Sequence, residues 1–524
     1  MKRVFFLAII WTSALWAQAP SDIVQSQHSL DFNLNLQNIE LAKYKGAIPL
    51  SKNFSEIKYD NWPVNNLAGM PRVPFQSFIF EGEADQVKVV LETGEAVKID
   101  ETPTPEFVYP CRCDNGQKAI EFKFNQKSFD EGSSLYKVEK LGDFRGRPLL
   151  RLSVFPFQTE NQKLVVYPQL KVRFDGAQKL RYSMSDKKLL IVGPQSLLNS
   201  IDELKKVRES QGFEVKVMAI DSIAKDAVKL KNFFHQTQSQ WAYTHAIILG
   251  DETVVFMDKM KTSSSDETPS DLPFFLMGGA EDTVPDVFFG RFPAQNARDI
   301  ELQVQRILNF EDQMKNGQLP RKALGIASDE GANPSDVEYM ESMLNPFINN
   351  NWDATRVYQG NQNHSNKNIA DAINSGVSWI NYIGHGSGYS WISVRDKEYT
   401  SNQVKALKNN NKWPIIVDVA CQNGRMSGDG RLGENFLKAR DQKNNPTGAV
   451  AFYGGTVDIS WHPPAVMAVG INQILEKSGP KELGALLFEG QLHLIKNWRT
   501  ASEATENWRW YNLMGDPSMR VELF

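Results

Sequence analysis

The spacing of apolar residues changes near residue 186. From about residue 30 to 182, short runs rich in β-branched and aromatic residues are separated by frequent turn residues. This pattern is typical of a sandwich or barrel, and it predicts an all-β domain over residues 20–185. The clearest runs are residues 78–80, 87–91, 149–154 and 170–174.

From residue 189 onward, strand-like apolar runs alternate with helical segments. Residues 189–193 end at a glycine, residues 196–211 have helical periodicity, and the alternation continues along the chain. Repeated βα units predict mostly parallel sheets flanked by helices. We divide this α/β region into subdomain A, residues 186–315, and subdomain B, residues 316–524.

The first 19 residues predict a secretory signal peptide. Lys2 and Arg3 precede a short apolar core, and Ala17 and Ala19 form an A-x-A cleavage pattern. The apolar core is shorter than the roughly 20 residues of a membrane span, although a retained anchor is an alternative. No other segment is apolar enough to cross a bilayer. We therefore expect an exported protein, periplasmic, on the cell surface or extracellular, with no membrane span after signal removal.

Composition narrows the possible partners and points to one cysteine. The 524 residues are 41% hydrophobic and 23% charged, and the net charge of −4 gives no basic surface for nucleic acid.

Cys111 and Cys113 flank Arg112, and whether they pair is open. Cys421 is distant from both. A lone thiol in an exported protein is a candidate reactive group, and a buried, inert cysteine is the alternative.

Cys421 and His385, 36 positions apart, each follow an apolar run. Residues 377–383 lead into Gly-His-Gly, and residues 414–420 lead into Cys-Gln-Asn-Gly. Both runs are typical of parallel strands, whose C-terminal ends meet at one edge of a sheet. An imidazole that accepts the proton of a thiol makes that thiol a nucleophile. The pair therefore predicts thiol-dependent catalysis.

Residues 189–524 resemble the gingipain-type cysteine peptidases, family C25 of clan CD. The resemblance implies a caspase-like α/β catalytic region of two subdomains and a secreted cysteine endopeptidase made as a zymogen. The β domain also resembles the family's propeptide, which implies an intramolecular inhibitor. The matching blocks are residues 285–291, 326–331, 382–387, 418–424, 446–451, 460–464 and 515–518, with weaker matches at 142–146 and 165–167.

The resemblance also assigns roles to individual residues. It makes Cys421 the nucleophile, His385 the general acid/base and Glu330 the carboxylate that orients the imidazole. A solvated turn acid is the alternative for Glu330. An oxyanion formed on attack needs preorganised N–H donors, and the backbone amides of Gly386 and Cys421 are the candidates.

The resemblance further implies cleavage after Arg or Lys, because family members with that specificity hold the substrate cation with a carboxylate in the first substrate pocket. Asp336 and Asp458 match such positions, and Trp461 would cover the pocket. Asp336 could instead cap a helix. No cofactor or metal is required for the chemistry. Turn acids Asp251, Asp271 and Asp282 are candidates for structural calcium, with ordinary solvated acids as the alternative.

The expected partners are protein or peptide substrates and the chain's own propeptide. Arg112, Arg145 and Arg147 are candidates for a side chain that fills the substrate pocket in the zymogen. Residues 178–188 form a polar, basic connector that is a plausible cleavage site or simply a surface loop. A transpeptidase that uses the same Cys/His site, and a non-catalytic binding protein on a peptidase scaffold, are the alternative functions.

Overall fold

The structure is a computed structural model that describes residues 22–44, 53–65, 67–107, 122–180, 187–331, 334–361, 365–476 and 482–524. The predicted signal peptide, residues 1–19, lies outside these ranges. So do Cys111, Arg112 and Cys113, and residues 181–186 of the predicted connector.

Where the structure describes it, the N-terminal domain is built from antiparallel strands and one short α-helix. Its strands are β1 (Ile23–Gln25), β2 (Ser29–Asn33), β3 (Ile39–Lys43), β4 (Ser55–Tyr59), β5 (Gln76–Glu81), β6 (Lys88–Thr93), β7 (Val97–Ile99), β8 (Tyr136–Phe144), β9 (Arg147–Val154), β10 (Phe157–Glu160), β11 (Lys163–Val166), β12 (Gln169–Asp175) and β13 (Gln178–Lys179), and its helix is α1 (Gln126–Glu131). Within the described residues they form sheets β1-β2-β12-β6, β13-β5-β9-β8 and β10-β11-β7, and the pair β3-β4. Alternate residues of β12, namely Leu170, Val172 and Phe174, enter the core of this domain.

The α/β region follows from residue 188. Its strands are β14 (Lys188–Gly193), β15 (Glu214–Ala219), β16 (His245–Leu249), β17 (Asp258–Met260), β18 (Thr268–Ser270), β19 (Phe288–Phe292), β20 (Lys322–Ala327), β21 (Asp353–Tyr358), β22 (Trp379–Ile383), β23 (Ser390–Trp391), β24 (Tyr399–Thr400), β25 (Ile415–Val419), β26 (Ala451–Gly455) and β27 (Tyr511–Met514). Its helices are α2 (Gln195–Leu198), α3 (Asp202–Ser210), α4 (Ala227–Trp241), α5 (Ala297–Lys315), α6 (Asp336–Asn349), α7 (Asn366–Ser375), α8 (Ser401–Lys405), α9 (Leu432–Lys438), α10 (His462–Glu476), α11 (Leu483–Asn497) and α12 (Ala501–Trp510).

Among the described residues, ten strands of this region form one continuous sheet, in the order β15-β14-β16-β19-β27-β26-β25-β22-β20-β21. The sequence pattern predicted mostly parallel sheets in two subdomains. Instead, two parallel halves run in opposite directions and meet where β27 pairs antiparallel with β26. Strand β27 also continues the first half, through a single residue pair, Arg291 with Met514 of β27.

Strand β25 shows why the central strands of the sheet have apolar runs. Ile415, Val417 and Val419 face a core shared with helices α6, α10 and α11. Ile416 faces the opposite core, with α7 and α9. A parallel strand covered on both faces is apolar at successive positions instead of alternating. Reactive polar side chains are therefore expected mainly in the loop that follows the C-terminal end of this strand.

The β domain packs directly on the α/β region. Phe144 stacks on Phe488 of α11, with ring centroids 4.8 Å apart. The fully buried side chain of Arg151 donates to the carbonyl oxygens of Ile495 and Trp498, at the end of the same helix. The two domains therefore share a core and a buried polar contact. No helix within the described ranges is both long and apolar enough to cross a membrane.

Candidate active site

The predicted pair, His385 and Cys421, lies at one edge of the sheet. Strands β22 and β25 are adjacent and parallel, and their last pair joins Ile383 to Val419. Each predicted residue follows two positions after that pair. Both line one small pocket, of about 20 Å³, which also includes Trp461. The structure thus brings thiol and imidazole to the same pocket, as the strand pattern predicted.

Glu330 reaches His385 from the neighbouring strand end, just after β20. Its Oε2 lies 3.2 Å from Nε2 of His385, and both side chains are partly exposed. The backbone of His385 is held on both sides, because its N–H donates to Ser393 Oγ at 2.9 Å and its carbonyl accepts from the Tyr382 hydroxyl at 2.7 Å. A carboxylate at this distance fixes the imidazole tautomer and stabilises the imidazolium.

The nucleophile candidate sits on a sharp turn. Cys421 is 7% exposed, and Gln422 after it has a φ of +62°, in the left-handed region that non-glycine residues rarely adopt. The N–H of Gln422 donates to the carbonyl of Val457 at 3.0 Å. Such strained positions occur where the surrounding structure over-determines the backbone, often at functional sites.

Gly386 provides the second candidate oxyanion donor. It forms an isolated antiparallel bridge with Trp391. The hydrogen bonds of this bridge join the neighbours on either side, Ser387 N–H to the Ser390 carbonyl and Ile392 N–H to the His385 carbonyl. In a pair of this kind the N–H of the residue itself points away from the partner strand. A Cβ at this position would lie 2.3 Å from the carbonyl oxygen of Cys421. The close approach of the two loops therefore requires glycine.

A sequence model of peptidase family C25 matches residues 182–522, well over half of the chain. The chain belongs to peptidase family C25. This confirms the resemblance inferred from the sequence blocks. The match covers the whole α/β region, including the edge of the sheet that carries His385 and Cys421.

Gingipain R2 of Porphyromonas gingivalis is 25% identical over 350 residues, which cover 64% of this chain and 46% of that protein. Lys-gingipain HG66 of the same organism is 23% identical over 416 residues, 68% of this chain and 23% of that protein. The chain thus spans less than half the length of these relatives. The crystal structure of Arg-specific gingipain R superposes with a TM-score of 0.58 at 24% identity, over 65% of this chain and 79% of that one. The α/β region of this C25 member therefore has the predicted caspase-like fold.

The two predicted specificity carboxylates of this C25 member lie beside the Cys421 pocket but do not line it. Asp336 is the first residue of α6, fully buried, and accepts a hydrogen bond from the Ser328 hydroxyl. Ser335, and not Asp336, is the N-cap of that helix. Asp458 is partly buried and accepts from the Gln422 amide at 2.9 Å. The wall of the pocket is mainly apolar, formed among others by Ile383, Val419 and Ile459.

A second, larger cavity of about 830 Å³ lies next to this pocket. Ser460 and Trp461 line both. The β domain forms another part of its wall, including Trp62 and Arg72. The β domain of this C25 member is therefore placed directly beside the candidate active site.

The arginines predicted to fill the substrate pocket are placed elsewhere, or are not described. Arg145 lies against Asp286, to which its backbone N–H and its guanidinium both donate. Arg147 pairs with Glu81 of its own domain at 2.6 Å. Neither is among the residues that line the Cys421 pocket. Arg112 lies outside the described residues.

The three acids considered for calcium each have protein partners. Asp271 forms a buried ion pair with Arg291 at 2.6 Å, and Asp251 pairs with Lys438 at 3.1 Å. Asp282 accepts from three backbone N–H groups, including that of Gly278. Among the described residues, no group of three or more potential ligand side chains is arranged to hold a metal ion. These three acids therefore stabilise loops through their ion pairs and hydrogen bonds.

Asp418 was not singled out from the sequence, although a carboxylate inside an apolar strand was a usable signal. It is fully buried in β25, three residues before Cys421. The Trp391 indole N–H donates to it at 2.5 Å. Burial raises the pKa of Asp418 to about 7, and the contacts with Trp391 and Asn423 offset part of that rise.

Proposed function

We propose that this chain is a cysteine endopeptidase that cleaves peptide bonds through a thioester on Cys421. The observation that carries the proposal is the arrangement of three groups from adjacent strand ends. Cys421 and His385 line one pocket, and Glu330 contacts the imidazole at 3.2 Å. Membership of family C25 supports the same chemistry.

The geometry suggests the order of proton transfers. Because Glu330 contacts Nε2 of His385, Nδ1 is the nitrogen that exchanges a proton with the Cys421 thiol. The thiolate attacks the peptide carbonyl, and the N–H groups of Gly386 and Cys421 stabilise the oxyanion. The imidazolium then protonates the leaving amine, and water hydrolyses the thioester with His385 as base.

The full-length chain and Cys421→Ala test this chemistry against a peptide library. We expect cleavage by the first and none by the second, with product ends located by mass spectrometry. Added amine nucleophiles test whether the thioester is hydrolysed or transferred to an amine. Their incorporation into the products would identify the enzyme as a transpeptidase. Absence of any Cys421-dependent cut, also after proteolysis of the connector, would contradict the proposal and favour a binding protein on a peptidase scaffold.

For the substrate we propose cleavage after Arg or Lys. Relatives of this chain include an Arg-specific gingipain R and a Lys-gingipain. Trp461 lines the pocket and offers an aromatic face to an aliphatic cationic stem. Asp458, partly exposed near the pocket, is a candidate for the charge partner, as is buried Asp336.

Asp458→Asn and Asp336→Asn, each isosteric, identify the specificity carboxylate. Substitution of the carboxylate that contacts the substrate cation should lower kcat/KM for basic substrates at least about tenfold, since a charge-assisted hydrogen bond contributes about 1.5–3 kcal/mol. It should leave an apolar substrate unaffected, and the other variant serves as its control. Products that end in apolar residues from the wild-type chain would refute the basic preference.

We further propose that the β domain is an inhibitory propeptide of an exported zymogen. A solved complex of gingipain pro- and mature domains exists for a relative, and here the β domain borders the cavity next to the Cys421 pocket. Lys179→Gln, Arg181→Gln, Lys187→Gln and Lys188→Gln together should block self-processing in the connector and keep activity low. Deletion of residues 1–19 should leave the protein in the cytoplasm. Equal activity of the cut and uncut chains would contradict the inhibitory role.

A further inference from the structure

Asn423 connects the two loops that carry the candidate catalytic pair. It is fully buried, two residues after Cys421. Its N–H donates to the carbonyl of Cys421 at 2.8 Å, and its own carbonyl accepts from Gly433 N at 3.1 Å, at the start of α9. Its side-chain Oδ1 accepts from the N–H of Gly388 at 3.0 Å, in the loop that contains His385.

The other end of the Asn423 side chain lies against the oxyanion candidate. A Cβ built on Gly386 would be 2.8 Å from Nδ2 of Asn423. The same amide faces the buried Asp418 carboxyl of β25. The side chain of Asn423 therefore lies between the Cys421 loop and the Gly386–Gly388 segment of the His385 loop.

This placement matters because the hydrogen bonds within the His385 loop, at His385 and Ser387, fix the shape of the loop and not its distance from Cys421. Glycines occupy positions 384, 386 and 388, and glycine permits many backbone conformations. An oxyanion donor acts only when its N–H is held about 2.7–3.1 Å from the developing charge. The contact from Asn423 sets the distance of this N–H from the Cys421 loop.

We propose that Asn423 is a positioning residue that sets the oxyanion hole by fixing the Gly386–Gly388 segment relative to Cys421. The proposal rests on the proposed peptidase function and adds a residue to it. Asn423 does not touch substrate in this role. Its effect is transmitted through the backbone N–H of Gly386.

Three measurements on the full-length chain separate this role from a structural one. Asn423→Ala should lower kcat about 10- to 100-fold, part of the roughly 10²–10³-fold cost of losing one oxyanion donor, while KM changes less than about threefold. Binding of a peptide aldehyde, which forms an oxyanion on Cys421, should weaken in parallel. Alkylation of Cys421 by iodoacetamide forms no oxyanion, so its rate should change less than about threefold.

Asn409→Ala is the matched control. Asn409 is equally buried and also braces a loop, because it bonds both the N–H and the carbonyl of Gly448, at 2.9 and 2.7 Å. It precedes β25, at the edge of the sheet opposite Cys421. Its substitution should lower the melting temperature and leave kcat of the folded enzyme unchanged.

If Asn423→Ala does not fold, Asn423→Asp tests whether Asn423 positions the oxyanion hole. The aspartate keeps the oxygen that accepts from Gly388, so at pH 6, where Asp418 is largely protonated, kcat should stay within about fivefold of wild type. A folded Asn423→Ala that keeps more than a third of kcat, or an Asn423→Asp as impaired as the alanine variant, overturns the positioning role alone. A wild-type chain that cleaves no peptide even after its connector has been cut overturns the proposed function, and this role with it.

Discussion

Arg151→Met removes the buried cation that joins the β domain to the α/β region. The guanidinium is fully buried and pairs with Glu139. It also donates to the carbonyl oxygens of Ile495 at 2.8 Å, Trp498 at 2.5 Å and Arg499 at 2.8 Å. These carbonyls lie at and beyond the last turn of α11, where helices lack internal donors and favour a cation. Methionine retains the apolar stem and leaves these acceptors unpaired.

The free energy that Arg151→Met is expected to cost follows from the burial of the Arg151–Glu139 ion pair. Removing one partner of a buried ion pair typically destabilises a protein by about 3–5 kcal/mol. If the whole cost falls on the domain interface, the cut β domain should bind the α/β region about 140- to 3700-fold more weakly, since 1.4 kcal/mol is tenfold. The control is Arg173→Met, because Arg173 pairs with Glu92 at an exposed site, where such pairs contribute about 0–1 kcal/mol.

Two assays measure the effect on the Cys421→Ala background, which prevents self-cleavage. Urea denaturation gives the free energy of unfolding of the intact chain. Limited proteolysis in the connector, followed by gel filtration, shows whether the β domain still elutes with the α/β region. A loss below about 1 kcal/mol together with unchanged co-elution would refute the view that Arg151 anchors the interface.

The same ion pair should make the stability of the chain sensitive to acid. Burial opposes ionisation of Glu139, but the charge of Arg151 and their hydrogen bond outweigh it and lower the pKa of Glu139. A carboxyl whose pKa is lowered in the folded state contributes stability above its unfolded pKa, and this contribution is lost as pH falls through the folded pKa. We expect the free energy of unfolding of the chain to fall as pH falls below about 4, with Glu139→Gln reducing that pH dependence in urea denaturation.

Three further predictions concern the site. Glu330→Gln should lower kcat about 10- to 100-fold with KM little changed, because general acid–base catalysis depends on the oriented imidazole; steady-state kinetics should show no such loss for Glu341→Gln, which removes an equally exposed carboxylate paired with Arg356. Trp461→Ala should lower kcat/KM about 2- to 10-fold more for basic than for apolar substrates, and equal losses would exclude a contact with the cation. Asp418 has its pKa raised to about 7, so it costs stability as pH rises from about 4 to 7; Asp418→Asn should be stabilised relative to wild type at pH 8 and not at pH 4 in urea denaturation, and equal differences at both pH values would contradict the burial argument.

The candidate catalytic residues were predictable because of where they stand relative to strands. The strands that precede His385 and Cys421 are buried on both faces, so each has an apolar run that ends where the loop begins. The relation between the two loops was not predictable in this way. Asn423 contacts Gly388, 35 residues earlier, and a buried asparagine has no periodicity that distinguishes it from a surface turn residue.

The sequence by itself determined the α/β class of the region that follows residue 188, the strand ends that precede His385 and Cys421, and the family, because these depend on local hydrophobic periodicity and short motifs. Only the tertiary structure decided that the two halves of the sheet join antiparallel through β27, and that Arg151 reaches the end of α11, 344 residues away. It also placed Asp336 and Asp458 beside the pocket and not on its wall. Strand order and buried polar contacts depend on which distant segments pack together, and no local pattern records that choice.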